Sequence, residues 1–320
     1  MIDTWLTRRF ELTIPVVGAP MAGPGEGGLA AAISAGGGLG MIGVGASQST
    51  GWIRDQARAA VAVPGTYGMG LMAWALERDD TALETVMDLR PGLISISFGN
   101  VEPFVRRVRE AGIPVTTQVG NLDEALHAEQ AGVDFIVARG SEAGGHGRNE
   151  VATLPLLQSV IEHVEVPVVA AGGISTARGL AAVLAAGAVG AWVGTALLTT
   201  HEANNTPAAR RRLLRATDTG TAYGRVFDIA QNLAWPPEYG ARSLRNTFFD
   251  RWNQRLDDLA KDDSAADELD QARRRPDEDD AYDVAYIYAG QGVGALTHER
   301  PVAEVLADLA EAESLLGPHR

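Results

Sequence analysis

The strongest constraint on the fold of this chain is an alternation of short apolar runs with alanine-rich stretches over its first ~200 residues. Runs such as Phe135-Ile-Val-Ala138 are continuously apolar, which is typical of parallel strands buried on both faces. The helix-like stretches begin at capping residues such as Asn121 and Ser175 and end at Ala-Gly pairs. We predict strands at residues 15–19, 40–44, 67–71, 93–97, 115–119, 135–138, 166–170 and 191–194.

Eight strands that alternate with helices predict an α/β fold, a (β/α)8 TIM barrel with a small inserted helical subdomain. A doubly wound open sheet is the alternative, because periodicity alone does not distinguish the two; the number of strands and the glycines at their ends favour the barrel. After residue 202 the alternation gives way to aromatic residues and a dense charge run. We therefore predict a barrel domain of residues 1–202 plus 285–320, with a helical cap inserted at residues 203–284.

Composition excludes several classes of function. The chain has no cysteine, so it has no disulfide framework, thiolate nucleophile or cysteine-based metal site, and this suits a reducing cytoplasm. Its net charge of −14 disfavours binding to nucleic acid. Apolar runs of about 18 residues are missing, as is an apolar N-terminal segment, so we expect neither a membrane span nor a secretory signal. These features predict a cytoplasmic protein that acts on a small molecule.

A glycine-rich loop that carries a histidine follows the sixth predicted strand, with the sequence Gly140-Ser-Glu-Ala-Gly-Gly-His-Gly147. Loops after the strands of a barrel form its C-terminal face, where active sites assemble. The glycines let the backbone approach a planar or phosphate-bearing ligand, and His146 would lie close to that ligand. A tight turn with a solvent-facing histidine is the alternative, but the position after an apolar strand favours a functional role.

Two more glycine-bearing loops follow the seventh and eighth predicted strands, where barrels commonly bind phosphate through backbone N–H groups. We predict that a phosphate cradle is formed by Gly172, Gly173, Gly194 and Thr195. The GxGxxG match at residues 38–43 is not a dinucleotide fingerprint, because its glycines lie between a helix and the following strand instead of between a strand and a helix.

Other kinds of catalysis have little support in the sequence. There is no HxH, HExxH or carboxylate cluster, so we predict no metal site. Lys261 is the only lysine and lies in the charge run, which argues against Schiff-base chemistry. A bound cofactor that supplies the difficult chemistry fits the residues better. The remaining histidines are less well placed, and they are His127, His163, His201, His298 and His319.

With these motifs the sequence resembles the nitronate monooxygenase family, formerly called 2-nitropropane dioxygenases. The first strand and its loop, Gly18-Ala-Pro-Met-Ala-Gly23, the histidine loop and the two phosphate loops all resemble the family's FMN-binding segments. The tail Ala289-Gly-Gln-Gly-Val-Gly294 is similar to the segment that closes over the flavin, and in the cap Trp235-Pro236 and Arg245-Asn246 are also similar. The resemblance spans about the whole chain.

The resemblance implies an FMN cofactor and a role for each matching residue. Ala19, Pro20 and Met21 would line the isoalloxazine, and Gln118 would reach its polar edge. The ribityl and phosphate groups would be held by Gly140, Gly145, Gly172, Gly173, Gly194 and Thr195, with Gln291 and Gly292 closing over the flavin.

His146 would be the base, which takes an α-proton from a neutral nitroalkane or orients a nitronate. The implied reaction is electron transfer from an alkyl nitronate to FMN, followed by attack of O2, which gives a carbonyl compound and nitrite.

The chain also departs from many family members. Residues 67–72 lack an asparagine found near the end of the third strand, and Arg139 replaces a glutamine before the histidine loop. A guanidinium near the flavin would favour an anionic substrate or a reduced, anionic flavin, unless it points elsewhere. NAD(P)H-dependent reductases of the enoyl-ACP or quinone type on the same barrel are the enzymatic alternative, and a flavin- or phosphate-binding sensor is the non-enzymatic one. The sequence leaves open whether the protein forms a homodimer.

Overall fold

The computed structural model describes residues 2–317 and contains two β-sheets. Its strands are β1 Val16–Gly18, β2 Gly40–Gly43, β3 Tyr67–Met72, β4 Leu93–Ser97, β5 Val115–Val119, β6 Phe135–Arg139, β7 Gly145–His146, β8 Val168–Ala171, β9 Ala191–Val193, β10 Thr221–Gly224 and β11 Ala241–Leu244. Eight of them pair in parallel, in the order β1-β9-β8-β6-β5-β4-β3-β2. The other three form a small sheet in the order β10-β11-β7.

The two ends of the parallel sheet meet. The N–H of Gly18 donates to the carbonyl of Leu39 at 2.9 Å, and the N–H of Leu39 donates to Val16 at 3.0 Å. Leu39 directly precedes β2, so these bonds bring the first two strands together and close the ring. The predicted TIM barrel is confirmed, and the doubly wound open sheet is excluded.

Helices alternate with the barrel strands, as the sequence predicts. The helix α1 Trp5–Phe10 precedes the first strand. Around the barrel lie α2 Gly27–Ala35, α3 Thr50–Ala60, α4 Ala73–Leu76, α5 Thr81–Leu89, α6 Glu102–Glu110, α7 Leu122–Ala131, α8 Thr153–Ile161 and α9 Ala177–Ala185. The side chain of Asn121 caps α7, as expected, by accepting the N–H of Glu124 at 2.9 Å. Ser175 does not cap α9: the helix begins two residues later, and Thr176 accepts the N–H of Gly179 instead.

The inside of the barrel is filled at its N-terminal end. Leu6, Phe10 and Leu12 from the N-terminal segment form one buried cluster with inward-facing strand residues such as Phe135 and Trp192. The ring of Phe10 lies 6.2 Å from that of Phe135. With this end occupied by apolar side chains, the C-terminal ends of the strands are left for a ligand.

The segment after β9 has its own apolar core. It contains α10 Pro207–Arg215, α11 Val226–Ala230, α12 Thr247–Trp252, α13 Leu256–Leu259 and α14 Asp263–Arg273, and the chain then ends with α15 Val302–Ala310 and α16 Ala312–Leu316. Phe227, Phe248 and Trp252 form the centre of the core. Residues 203–284, which we predicted as an inserted helical cap and continue to call the insert, also contain the unpredicted strands β10 and β11. No helix within residues 2–317 is long and apolar enough to cross a membrane.

Candidate active site

The loop after β1 lies across the C-terminal mouth of the barrel. Pro20 packs against Gly70 of β3, where a Cβ atom would come within 2.5 Å of the proline ring. A Cβ at Gly194, after β9, would meet Ala19 at 3.4 Å and the Sδ of Met21 at 3.5 Å. The structure therefore brings the three residues of the first predicted site segment together with the last predicted phosphate loop.

The imidazole of His146 is held by Asp228 and Tyr288, which the sequence did not predict, and by Trp235, which lies in a segment that resembles the family. Its Nε2 lies 2.8 Å from Oδ1 of Asp228, and the two side chains are 10% and 1% exposed. The ring stacks on Trp235, with centroids 3.6 Å apart and planes 3° from parallel, and contacts the ring of Tyr288 at 5.2 Å. No sequence motif marks Asp228, which is 82 residues from His146.

The side chain of Arg139 is buried against the backbone of the histidine loop. The residue is 4% exposed, and its Nη2 donates to the carbonyls of Ala143, Gly144 and Gly145 at 3.3, 3.0 and 2.9 Å. Burial lowers the pKa of its guanidinium to about 10. The guanidinium of Arg139 therefore binds the backbone of the histidine loop.

The insert binds the histidine loop on the side opposite Arg139. β11 pairs with β7, so that Ala241 lies opposite His146. Arg242 of β11 donates through Nε to the carbonyl of Ser141 at 2.8 Å, and Tyr223 of β10 donates to the carbonyl of Gly147 at 2.8 Å. The histidine loop is thus fixed by both the barrel and the insert.

The predicted site glycines fall into two groups. Gly145 and Gly173 have φ angles of +72° and +71°, and a Cβ atom would meet nothing within 4 Å at Gly145 and only Glu142 at 3.6 Å at Gly173. Gly140 and Gly172 instead pack against Thr153 at the start of α8, where a Cβ would lie 2.3 and 2.6 Å from its atoms. That Gly140 and Gly172 also hold a cofactor stays a prediction.

The loops after β8 and β9 have the properties of an anion cradle. The backbone N–H groups of Gly173 and Gly194 make no hydrogen bond to any residue in the described part of the chain. Space lies in front of Gly173, and α9 begins shortly after it. Free N–H groups at a glycine turn near a helix N-terminus are what a phosphate group binds. The residues present therefore fit a phosphate-bearing cofactor.

The tail after the insert crosses these loops. The N–H of Gly290 donates to Oγ1 of Thr195 at 2.9 Å, and the N–H of Gln291 donates to the carbonyl of Glu142 at 2.9 Å. A Cβ at Gly292 would lie 2.4 Å from the hydroxyl of Ser175. The tail thus contacts the histidine loop and both predicted phosphate loops, while the side chain of Gln291 is exposed.

The remaining predicted residues lie as follows. Gln118 occupies a half-buried position at the C-terminal end of β5, where its N–H donates to Oγ of Ser97 at 3.0 Å. His201 is exposed, and His298 makes a hydrogen bond to its neighbour Thr297. His319 lies outside the described residues. Between residues 2 and 317, no group of three or more His, Cys, Asp or Glu side chains could hold a metal ion.

A surface groove and a smaller cavity differ in their distance from the strand ends. A groove of about 440 Å3 between α6 and α7, lined by Arg106 and Arg109 among others, is on the outer wall of the barrel and away from the strand ends. A cavity of about 220 Å3 lies at the C-terminal ends of β2 and β3, lined by Val44, Met72 and Trp74. The Trp74 ring lies 5.2 Å from that of Trp235, so this smaller cavity adjoins the aromatic residues around His146.

Comparison with known proteins identifies relatives over most of the chain. A family model described as nitronate monooxygenase matches residues 53–312. A putative monooxygenase of Mycobacterium tuberculosis is 36% identical over 230 residues, which are 68% of this chain and 58% of that protein. A probable nitronate monooxygenase of Staphylococcus aureus is 28% identical over 79% of this chain and 81% of its own.

Two solved structures resemble the chain over nearly its full length. FabK of Thermotoga maritima has a TM-score of 0.85 and 27% identity, covering 99% of this chain and 98% of its own. The nitroalkane oxidase of Streptomyces ansochromogenes has a TM-score of 0.81 and 29% identity, covering 98% and 99%.

Proposed function

Because the chain belongs to the nitronate monooxygenase family, and is therefore a flavin oxidoreductase, we propose that it oxidises alkyl nitronates with O2 to carbonyl compounds and nitrite, with FMN as its cofactor. The observation that carries this proposal is the position of His146. The imidazole lies at the mouth of the barrel, between Trp235 and Tyr288, beside loops whose backbone fits a phosphate group. We further propose that the protein acts in the cytoplasm, since it contains no cysteine.

The flavin would be held mainly by backbone. Gly173, Gly194 and Thr195 would bind the phosphate, while Ala19, Pro20 and Met21 would lie against the ring system and Gln118 would reach its polar edge. When bound, FMN supplies the acceptor for the substrate's electrons and the centre that reacts with O2. A cradle with one glycine turn and one helix N-terminus suits a single phosphate group, which favours FMN.

The chain's own residues would contribute the transfer of the substrate's α-proton. His146 takes the α-proton of a neutral nitroalkane onto an imidazole nitrogen, and the electron pair of the C–H bond spreads onto the nitro oxygens to form the nitronate. The face of Trp235 and the edge of Tyr288 limit the access of water to the imidazole. A preformed nitronate needs no such step and uses His146 only for orientation.

The cavity beside Trp74 supports a small alkyl substrate. Its lining includes the apolar side chains of Val44, Leu71 and Met72, with Gln48 and Arg78 also contributing. Its volume of about 220 Å3 is below the roughly 300–1,000 Å3 of pockets for drug-sized ligands. Short nitronates should therefore be better substrates than long ones.

A second candidate is an NAD(P)H-dependent flavin reductase, which is favoured by the structural likeness to FabK at a TM-score of 0.85. One anaerobic experiment separates the two. The purified protein is mixed with an alkyl nitronate or with NADH or NADPH, and the visible flavin absorbance is followed. Bleaching with the nitronate alone supports the proposed function, rapid bleaching with a nicotinamide nucleotide alone supports the reductase, and a protein without flavin contradicts both.

A further inference from the structure

The carboxylate beside His146 comes from the insert and not from the barrel. Gly224 at the end of β10 lies opposite Ala241, and Ala241 lies opposite His146, so the three residues form one row across the small sheet. Two residues after Gly224, α11 begins and carries Asp228 in its first turn. The small sheet therefore fixes the distance between the loop that carries the histidine and the helix that carries the aspartate.

The hydrogen bonds of Asp228 indicate which nitrogen of His146 carries the hydrogen atom. Oδ1 of Asp228 lies 2.8 Å from Nε2 of His146, while its Oδ2 is buried and has no hydrogen-bond partner among residues 2–317. An ionised carboxylate only accepts hydrogen bonds, so Nε2 carries the hydrogen. Within residues 2–317, His146 is the only residue that makes a hydrogen bond to this buried carboxylate, so the carboxylate depends on the imidazole for its one polar contact.

The ring cannot easily turn to present another atom. Trp235 lies flat against one face at 3.6 Å, and Tyr288 lies against the ring at an interplanar angle of 64°. No residue in the described part of the chain makes a hydrogen bond to Nδ1, the second ring nitrogen, which is separated from Nε2 by one carbon atom. Tyr288 in turn packs against the ring of Tyr286 at a centroid distance of 4.6 Å, and Arg273 lies over the Tyr286 ring.

We propose that Asp228 is a positioning residue that holds His146 as the Nε2–H tautomer, so that Nδ1 is the atom that takes the α-proton. This inference rests on the proposed function, in which His146 is the base. In the step, the C–H bond breaks, its electron pair moves onto the nitro group, and the proton forms a new bond to Nδ1. Asp228 then faces an imidazolium, whose charge it stabilises in the way that a carboxylate orients and supports a catalytic histidine.

The first test is Asp228→Asn in the flavin-loaded protein. The amide can donate to Nε2 and so favours the other tautomer, in which Nδ1 carries the hydrogen and cannot act as a base. We expect kcat with a neutral nitroalkane to fall by about 10²- to 10⁴-fold, the range that a general base contributes. Oxidation of the preformed nitronate should fall by less than about 10-fold, because no proton is removed. Asp257→Asn, on an exposed residue of the same insert, is the matched control.

An equal loss with both substrates at unchanged flavin content, or no loss with either, would overturn the inference. The tautomer itself can be read in the unmodified protein from ¹⁵N imidazole spectra at alkaline pH, with the signal assigned by its disappearance in His146→Ala. Signals of an Nε2–H imidazole are expected, and an Nδ1–H imidazole would contradict the proposal even if Asp228→Asn does not fold. If His146→Ala still turns over nitroalkanes, the base assignment of the proposed function is wrong as well.

Discussion

The two sides of the barrel mouth are built in different ways. One side, formed by the loops after β8 and β9, presents backbone N–H groups and left-handed glycines such as Gly173; we propose that it binds phosphate and call it the phosphate side. The histidine side, formed by the loop after β6 and the insert, depends on side chains that meet across 82 residues of sequence. A backbone site needs only a local sequence, whereas a side-chain site needs a tertiary fold to assemble it. The two sides should therefore respond differently to substitution.

The largest effect is expected on the phosphate side, from Gly173→Leu. The new side chain would enter the open space in front of this residue and would also have to adopt a φ of +71°, which costs about 1–2 kcal/mol outside glycine. We predict a folded protein that purifies without flavin and is inactive with every substrate. The measurement is the ratio of visible to ultraviolet absorbance.

Gly112→Leu is the control for backbone strain. Gly112 has the same φ of +71° and no atom within 4 Å of an added Cβ, but it lies between α6 and β5 at the opposite end of the barrel. This variant should bear a similar conformational cost and keep its flavin. A Gly173→Leu protein with full flavin would show that the cradle lies elsewhere.

The second largest effect is expected on the histidine side, and it should distinguish neutral nitroalkanes from nitronates. His146→Ala should keep its flavin and lose turnover of neutral nitroalkanes by about 10²- to 10⁴-fold, while a preformed nitronate remains a substrate. Steady-state kinetics with both forms of one nitro compound measure the difference. Unchanged turnover of the nitroalkane would remove His146 from the proton step, and loss of flavin would mean that the two sides are not independent.

The comparison also explains what could be predicted from the sequence. The barrel strands and the glycine loops can be predicted from local patterns. Continuous apolar runs and glycines at strand ends indicate the same structure whatever distant residues they meet in the fold. Asp228 lies in no motif, and its role depends on the register of β7, β10 and β11. The inward turn of Arg139 depends on where three carbonyl groups of the following loop point, which no residue pattern encodes.

A smaller effect is expected from Arg139, which supports the histidine side from within the barrel. Arg139→Leu removes a charged donor from beneath Ala143, Gly144 and Gly145. Because hydrogen bonds to charged groups contribute about 1.5–3 kcal/mol, we expect a loss of roughly 3 kcal/mol in unfolding free energy. Arg139→Gln keeps a donor and should lose less. Urea denaturation measures both variants, and equal stability of Arg139→Leu and the parent would contradict the supporting role.

The smallest effect tests how the insert is attached to the barrel through Tyr239. Its hydroxyl donates to Oε1 of Glu124 on α7 at 2.9 Å, and burial, together with the nearby Glu124 carboxylate, raises the pKa of this phenol well above 10. A phenol whose pKa is raised on folding stabilises the protein fully below about pH 10, and this contribution is lost as the pH rises further. Tyr239→Phe should therefore cost about 1 kcal/mol at pH 8.

The difference in unfolding free energy between the two proteins should fall by about 1 kcal/mol between pH 10 and 11 and so disappear or change sign, because the unfolded parent chain then gains stability by ionising its phenol. Denaturation curves at the two pH values test this directly. If Tyr239→Phe is as stable as the parent at pH 8, Tyr239 attaches the insert through the packing of its ring against Phe98, at a centroid distance of 5.5 Å, because phenylalanine keeps that ring. In that case the histidine side would rest on apolar contacts at its edge and on polar contacts only around His146.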